Sequence, residues 1–439
     1  MNPLATINTQ PANTSVCELG NTSFSVAASV IGGSSITAYQ WQRYNGSSWS
    51  NITGATSPND GCTYSGYNTA TLNITNAVAG ITNYRYRVRI TTTGNCSRTS
   101  DSGVLTVNRL ADITGQPPNR AICAETNTTF TVTDDGNPAV TNHQWQRRDG
   151  SSWSDITGAT SPNDGCSYGG YNSGTLTLTN VPAGMTNYRY RCVLTTTGPC
   201  SITSNSGTLT VYPLATTTNP VSQSVCHGSA TSFSITAGGA PGSIRWQRSN
   251  DGGSTWVNIT GASNPGDGCT YSAYTTSSLG ISNAQLSMDN YQYRAVLTTT
   301  SGGCETFSGA AILTVNPLPV PTINGPNSVC IASVGNVYVT EAGMTNYVWS
   351  VSAGGTITSG GGPGNNTVTV TWNAPGTQSV SVNYTNGNNC TGASPTVYSV
   401  DVGAPPSDAT LTGSGDDCYG DANSWIRSVI TSGAPPYTI

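Results

Sequence analysis

Thirteen cysteines are the side chains with the most chemistry on offer in this chain. None stands in a Cys-x-x-Cys pair, so neither a zinc site nor a dithiol redox centre is encoded. The pattern points instead to disulfides in an oxidising, extracytoplasmic setting. Cys17, Cys123, Cys226 and Cys330 each precede a first long strand, and Cys96, Cys200, Cys304 and Cys390 each follow a late one. These eight are the expected disulfide formers. Cys62, Cys166 and Cys269 sit in a repeated Asp-Gly-Cys turn, and Cys192 and Cys418 lack evident mates. These five are expected as free thiols or inter-chain bridges, with Cys166–Cys192 as a further pair open within one repeat. Asp60, Asp164 and Asp267 lie in those same turns, and Asp416, Asp417 and Asp421 form the densest acidic cluster. Oxygen-rich loops of this kind can hold calcium, yet the alternating spacing of a calcium loop is missing, which favours ordinary Asx-Gly turns.

Trp49, Trp153 and Trp256, with Tyr64, Tyr67 and their copies, offer the makings of an aromatic sugar-binding platform, although strand alternation equally allows them to be core. Only two histidines exist, His143 and His227, in different repeats, and His143 reads as a sheet-edge residue. All fifteen basic residues are arginine. The lack of lysine excludes Schiff-base chemistry, a phosphate-loop lysine and Lys–Asn isopeptide staples. No paired carboxylates, nucleophile elbow or Ser–His–Asp set appears. The expectation is a protein that is not an enzyme and that carries no cofactor other than, at most, calcium.

The elements that must position these residues are copies of one another. Residues 39–68 recur as 143–172 and, more loosely, as 244–275, so that Trp41 maps onto Trp145 and Trp246. A period of about 100 residues is long enough to close a core of its own. The expected organisation is residues 1–108, 109–212 and 213–316 as three repeats, 317–403 as a fourth, divergent module, and 404–439 as the start of a fifth. Charged residues make up only 8% of the chain and the net charge is −5 without a basic stripe, so nucleic acid and membrane insertion are not expected. A basic n-region followed by an apolar stretch is not read in the opening residues, so a signal peptide is not expected among them. The opening Met1-Asn2-Pro3-Leu4 resembles the linkers Val211-Tyr212-Pro213-Leu214 and Val315-Asn316-Pro317-Leu318, and the expectation is a segment cut from a longer array.

Each repeat reads as short strands between turn clusters, with no helical period. In the first, strands are expected at 24–27, 39–44, 49–52, 64–67, 71–74, 84–92 and 103–107, with Asn45-Gly46 as a tight hairpin turn. Arg85, Arg87 and Arg89 alternate with Tyr86, Val88 and Ile90, giving one wet face and one dry. Seven or eight strands with an inward tryptophan on the third describe an all-β tandem array of immunoglobulin-like sandwiches. Repeat 2 also shows the Tyr-x-Cys spacing of a tyrosine corner at Tyr190 and Cys192, but Val132 or a neighbour stands where the partner cysteine of the usual inter-sheet bridge would be. The fourth module lacks both the Trp-Gln-Arg and the Asp-Gly-Cys segments.

Through Val16-Cys17, Trp41-Gln42, Trp49, the tyrosine-rich strand and Leu105-Thr106-Val107, the first three repeats resemble the immunoglobulin-like repeats of large Bacteroidota surface proteins exported by the type IX system. Through Gly325, Val329-Cys330, Trp349-Ser350-Val351 and Asn389-Cys390, the fourth is similar to the PKD-like module of the same proteins. That resemblance implies a secreted, cell-surface stalk, filament or adhesin segment. Its partners would be neighbouring modules or copies of the array, surface glycans or host and cell-surface proteins. A carbohydrate-binding accessory region of a polysaccharide-degrading enzyme is the rival reading.

Two disulfide schemes stay open. Within a domain, Cys17 would meet Cys96, a bridge over about 80 residues that would stabilise by about 4–5 kcal/mol. In immunoglobulin topology, however, those two positions lie roughly 20 Å or more apart by strand rise, too far to bridge, and Cys17 would instead meet Cys200 of the next domain.

Overall fold

Strict alternation builds the first repeat. The computed structural model describes residues 4–150, 152–404, 409–414 and 425–430. Eleven strands make up repeat 1: Thr6–Thr9 (β1), Thr14–Cys17 (β2), Thr22–Ser25 (β3), Ala27–Ser29 (β4), Ile36–Tyr44 (β5), Trp49–Asn51 (β6), Thr63–Ser65 (β7), Thr71–Thr75 (β8), Arg85–Thr92 (β9), Ser97–Thr99 (β10) and Gly103–Asn108 (β11). In β9 the residues Tyr86, Val88, Ile90 and Thr92 are buried while the arginines between them are not. In β5, Trp41 and Arg43 point inward and Gln40 and Gln42 outward. A period of two can satisfy only one buried face at a time, so two sheets must meet over these residues.

One sheet runs β2-β11-β9-β5-β6, with β10 beside β9, and the other β3-β8-β7, while β1 pairs with β4. All pairings are antiparallel except β2 with β11, where Thr14–Cys17 lies parallel to Leu105–Asn108. This is the immunoglobulin-like sandwich, and repeats 2 and 3 reproduce it, including the parallel pair at Arg120–Cys123 and Gln223–Cys226. In the fourth module Ser328–Cys330 lies parallel to Thr396–Gly403, followed in the sheet by Gly376–Thr385 and Thr345–Val351. Asn336–Val339, Thr367–Trp372 and Gly355–Gly360 form its facing sheet. By packing, the chain divides into Met1–Leu214 and Ala215–Ile439. The second of these also holds an antiparallel hairpin of Ala409–Ser414 with Trp425–Ile430.

Each module closes its own core. Trp41, Trp145 and Trp246 are fully buried, and each indole N–H finds a carbonyl: Thr69 at 2.9 Å, Ser173 at 2.8 Å and Thr276 at 2.9 Å. That bond lets a ring with a polar edge enter a dry interior without penalty. Val132, Cys166 and Cys192 all lie in the core of repeat 2, and Cys166 and Cys192 are both free thiols, so the pair left open between them is not formed. Tyr190 stacks on Phe130 with ring centroids 4.7 Å apart, and so serves the core instead of a tyrosine corner.

The hairpin at Asn45 differs from expectation. Tyr44 pairs with Trp49, leaving a four-residue loop in which Asn45 Oδ1 accepts from the backbone N–H of Ser47 and Ser48 at 3.1 and 3.0 Å. Only Gly46 adopts positive φ. The asparagine side chain replaces a backbone turn bond, which a two-residue turn would not need.

In the fourth module, the Thr322 backbone and hydroxyl (3.1 and 2.6 Å) and the Thr340 hydroxyl (2.6 Å) donate to the Glu341 carboxylate. Partial burial opposes ionisation, but the hydrogen bonds outweigh it and hold Glu341 at about 2, below its ordinary 4.5. A depressed carboxyl stabilises the fold above its unfolded value, and that contribution disappears as pH falls from 4.5 towards 2. Thermal melts of the chain should therefore show the fourth module losing stability across that window. Glu341→Gln should flatten this acid limb; an unchanged slope would remove Glu341 as its cause.

Candidate functional site

Strand β2 ends at Cys17, opposite Asn108, the last residue of β11, and Glu18 N–H donates to the Asn108 carbonyl at 2.8 Å. The cysteine therefore stands where repeat 1 hands over to repeat 2. Cys200 occupies the turn after Arg189–Thr196, closed by Thr196 N–H donating to the Cys200 carbonyl at 2.9 Å. Cys17 and Cys200 are bonded, with Cα atoms 5.5 Å apart. The surrounding contacts are close. A Cβ on Gly198 would overlap Asn108, the Thr196 hydroxyl donates to the Arg109 carbonyl at 3.0 Å, and the Glu18 carboxylate accepts from Leu110 N–H at 3.3 Å.

In the second unit Cys226, opposite Asn316, is bonded to Cys390 in the turn after Gly376–Thr385, again with Cα atoms 5.5 Å apart. Cys123 and Cys304 are each disulfide-bonded too. The pairing within a domain is thus not the one adopted at Cys17 or Cys226, and the register gives the reason. Val104 faces Arg85 at the start of β9, so Asn108 and Cys17 project beyond that end. Cys96 lies past Thr92 at the other end, on the order of 30–40 Å away by strand rise, far outside disulfide reach. Cys96 sits in the repeat 1 counterpart of the Cys200 turn, its Sγ 3.9 Å from the Gly94 carbonyl. Cys330, expected in a bridge, has no disulfide partner among the described residues. Cys418, Asp416, Asp417 and Asp421 lie outside the described residues.

A second cluster repeats three times and is buried. Asp60 Oδ2 accepts from Arg43 at 2.5 Å and from the Tyr64 hydroxyl at 2.6 Å, and Oδ1 accepts from Cys62 N–H at 3.3 Å. Asp164 is bound likewise by Arg147 and by Tyr168, and Asp267 by Arg248 at 3.0 and 2.7 Å and by Tyr271 at 2.6 Å. Both oxygens of these carboxylates are engaged by protein donors, which satisfies a charge held inside the sandwich. Burial pushes the Tyr64, Tyr168 and Tyr271 hydroxyls well above the ordinary phenol value. The arginines were not singled out from sequence. The available signal was that Trp-Gln-Arg and Asp-Gly-Cys occur together in three repeats and are both missing from the fourth.

The thiols of these turns face inward. Cys62, Cys166 and Cys269 are 4%, 4% and 7% exposed and Cys192 is 0% exposed, which leaves no surface for a bridge to another chain. Burial raises all four thiols, Cys166 to about 11 and Cys192 to about 12, so each stays protonated and inert.

Trp49, Trp153 and Trp256 are neither core nor an open platform. Each is half-buried, with an arginine over its ring: Arg87 at 3.8 Å from the centroid, Arg191 at 4.1 Å and Arg294 at 4.1 Å. Arg87 is itself held by donating to Gln42 Oε1 at 2.8 Å. Tyr64 lies inside the sandwich at 1% exposure, so the structure does not gather these aromatics on one face. A cation over the ring is worth roughly 0.5–1 kcal/mol at an exposed site, and here it occupies the surface on which a sugar would stack.

Residues 316–401 match the family model of a PKD-like domain, and residues 215–317 match a domain of unknown function, DUF8696. No curated protein sequence matches the chain. Among solved structures, it is similar to a mutated three-immunoglobulin fragment of titin at 13% identity, covering 72% of this chain and 99% of that one, with TM-score 0.40. It is also similar to extracellular domains 3–5 of Drosophila OTK, at 16% identity, covering 71% and 97%, with TM-score 0.29. A third likeness is to the four N-terminal immunoglobulin domains of a Dscam1 isoform, at 14% identity, covering 91% and 99%, with TM-score 0.20.

Proposed function

We propose that this chain is a passive, extracytoplasmic array of immunoglobulin-like and PKD-like sandwiches, acting as a structural or adhesive segment of a larger surface protein. The observation that carries this reading is the position of the cystines. Cys17–Cys200 and Cys226–Cys390 each tie one module to the next, a use of disulfides that serves spacing and load and belongs in an oxidising compartment. The charged residues of the repeats support it, since Arg43, Asp60 and their copies are consumed in holding the fold. Among the described residues, no helix is long and apolar enough to cross a membrane. The resemblance at Val16-Cys17, Trp41-Gln42 and Trp349-Ser350-Val351 extends the reading to type IX-exported surface proteins of Bacteroidota. Neighbouring modules are the first partners, and surface glycans or cell-surface proteins are the targets of an adhesive role.

The test is surface exposure with redox state. An Arg-specific protease added to intact producing cells should cut the protein, and both cystines should be recovered oxidised. Retention inside the cell with reduced thiols would overturn the proposal. On a glycan array the purified chain should give no binding that Trp49→Ala and Trp153→Ala abolish. Such a loss, with unchanged melting, would favour the carbohydrate-binding rival.

A further inference from the structure

Cys330 occupies, by strand register and backbone hydrogen bonds, the position of two cysteines that are bonded to a following module. Cys17 faces Asn108, Cys226 faces Asn316 and Cys330 faces Gly403, in each case the final residue of the parallel partner strand. The next residue's N–H donates to that partner's carbonyl in all three: Glu18 to Asn108 at 2.8 Å, His227 to Asn316 at 2.9 Å and Ile331 to Gly403 at 3.0 Å. A turn then folds back on the cysteine, with Gly20, Ser229 and Ser333 N–H donating to the carbonyls of Cys17, Cys226 and Cys330 at 2.9, 3.0 and 3.1 Å. All three cysteines are half-exposed.

The receiving side is equally stereotyped. Cys200 and Cys390 are both 1% exposed. Each lies in a turn closed four residues back, where Thr196 and Asn386 N–H donate to the Cys200 and Cys390 carbonyls at 2.9 Å. The donor geometry is thus complete at Cys330, whose only missing element among the described residues is the turn that would receive it. A strand pair, Ala409–Ser414 with Trp425–Ile430, begins further structure just past Gly403.

We propose that Cys330 is the junction half-cystine for a further β-sandwich docked directly after Gly403, bonding a cysteine in that module's turn after its penultimate long strand. It rests on the oxidising setting proposed above. Bond formation joins the two sulfurs and releases two protons. The two electrons reduce a disulfide of glutathione or of an oxidoreductase to two thiols.

The experiment has two arms. In the purified full chain, without denaturant, N-ethylmaleimide should label Cys330 while Cys62, Cys166, Cys192 and Cys269 stay unlabelled until the protein is unfolded. Next, the chain is built with a second copy of residues 317–403 directly after Gly403 and oxidised with glutathione disulfide. Mass-spectrometric mapping should then find Cys330 bonded to the cysteine of the second copy that corresponds to Cys390. A Cys330→Ser variant should leave that copied cysteine a free thiol, alkylated once the protein is unfolded, while the added module still melts cooperatively. A folded added module with Cys330 still alkylatable would overturn the proposal, as would a bond from Cys330 to Cys418 or to a second chain. If Cys17–Cys200 and Cys226–Cys390 are themselves reduced in protein taken from cells, the compartment reading fails instead. The two failures are thereby told apart.

Discussion

Asp60→Ala should destabilise repeat 1 by about 3–5 kcal/mol, because it leaves the Arg43 guanidinium buried without its counter-charge. The side chains are 9% and 6% exposed, so water cannot replace the lost carboxylate, and the Tyr64 hydroxyl loses its acceptor as well. Repeat 2 supplies an internal control. There Arg147 also contacts Asp149 at 2.6 Å, at the solvent-exposed rim, so Asp164→Ala leaves the cation partly paired and should cost visibly less. Urea unfolding followed through the buried tryptophans would measure both. Arg43→Met combined with Asp60→Leu should recover most of the loss, since removing both charges leaves nothing to desolvate. Equal losses in the two repeats would show that the carboxylate acts through packing alone.

Cleavage at Arg109, an exposed residue between repeats 1 and 2, should fail to separate them until reductant is added. The cystine from Cys17 to Cys200 holds the pieces together across a sequence separation of 183. A bridge within each repeat would let them part at once on a non-reducing gel. Replacing Cys17 and Cys200 by serine should also cost about 5 kcal/mol in the chain-entropy account for a loop of this length. The shift would appear as a lower urea midpoint for repeats 1 and 2 only, with those of the second unit unmoved. Separation without reductant would remove the head-to-tail connection.

Much of the fold was legible because it is written locally. Alternation in β9 names its buried residues, the recurrence of Trp41 marks the third strand, and the repeat period divides the cores. What was not legible depends on distance in the chain. Arg43 meets Asp60 across a hairpin and a loop, a contact no strand pattern encodes. Alternation places Trp49 on one side of its strand but does not say which side is roofed by the opposite sheet, and the outer side proved to be the one it takes. Cysteine pairing was hardest. It depends on how one module's end meets the next module's turn, so sequence alone could offer both schemes, and the register of β2 against β11 decides between them.

Tension gives the Cys17–Cys200 link a meaning of its own. Pulled from either side, force enters at one sulfur and leaves at the other, bypassing the whole stretch of chain spanned by their sequence separation of 183. Roughly 600 Å of contour, at the fully extended reach of a residue, is thereby withheld from stretching however far repeats 1 and 2 unravel. Oxidised, this stretch behaves as a short inextensible link; reduced, it becomes a long reserve of slack.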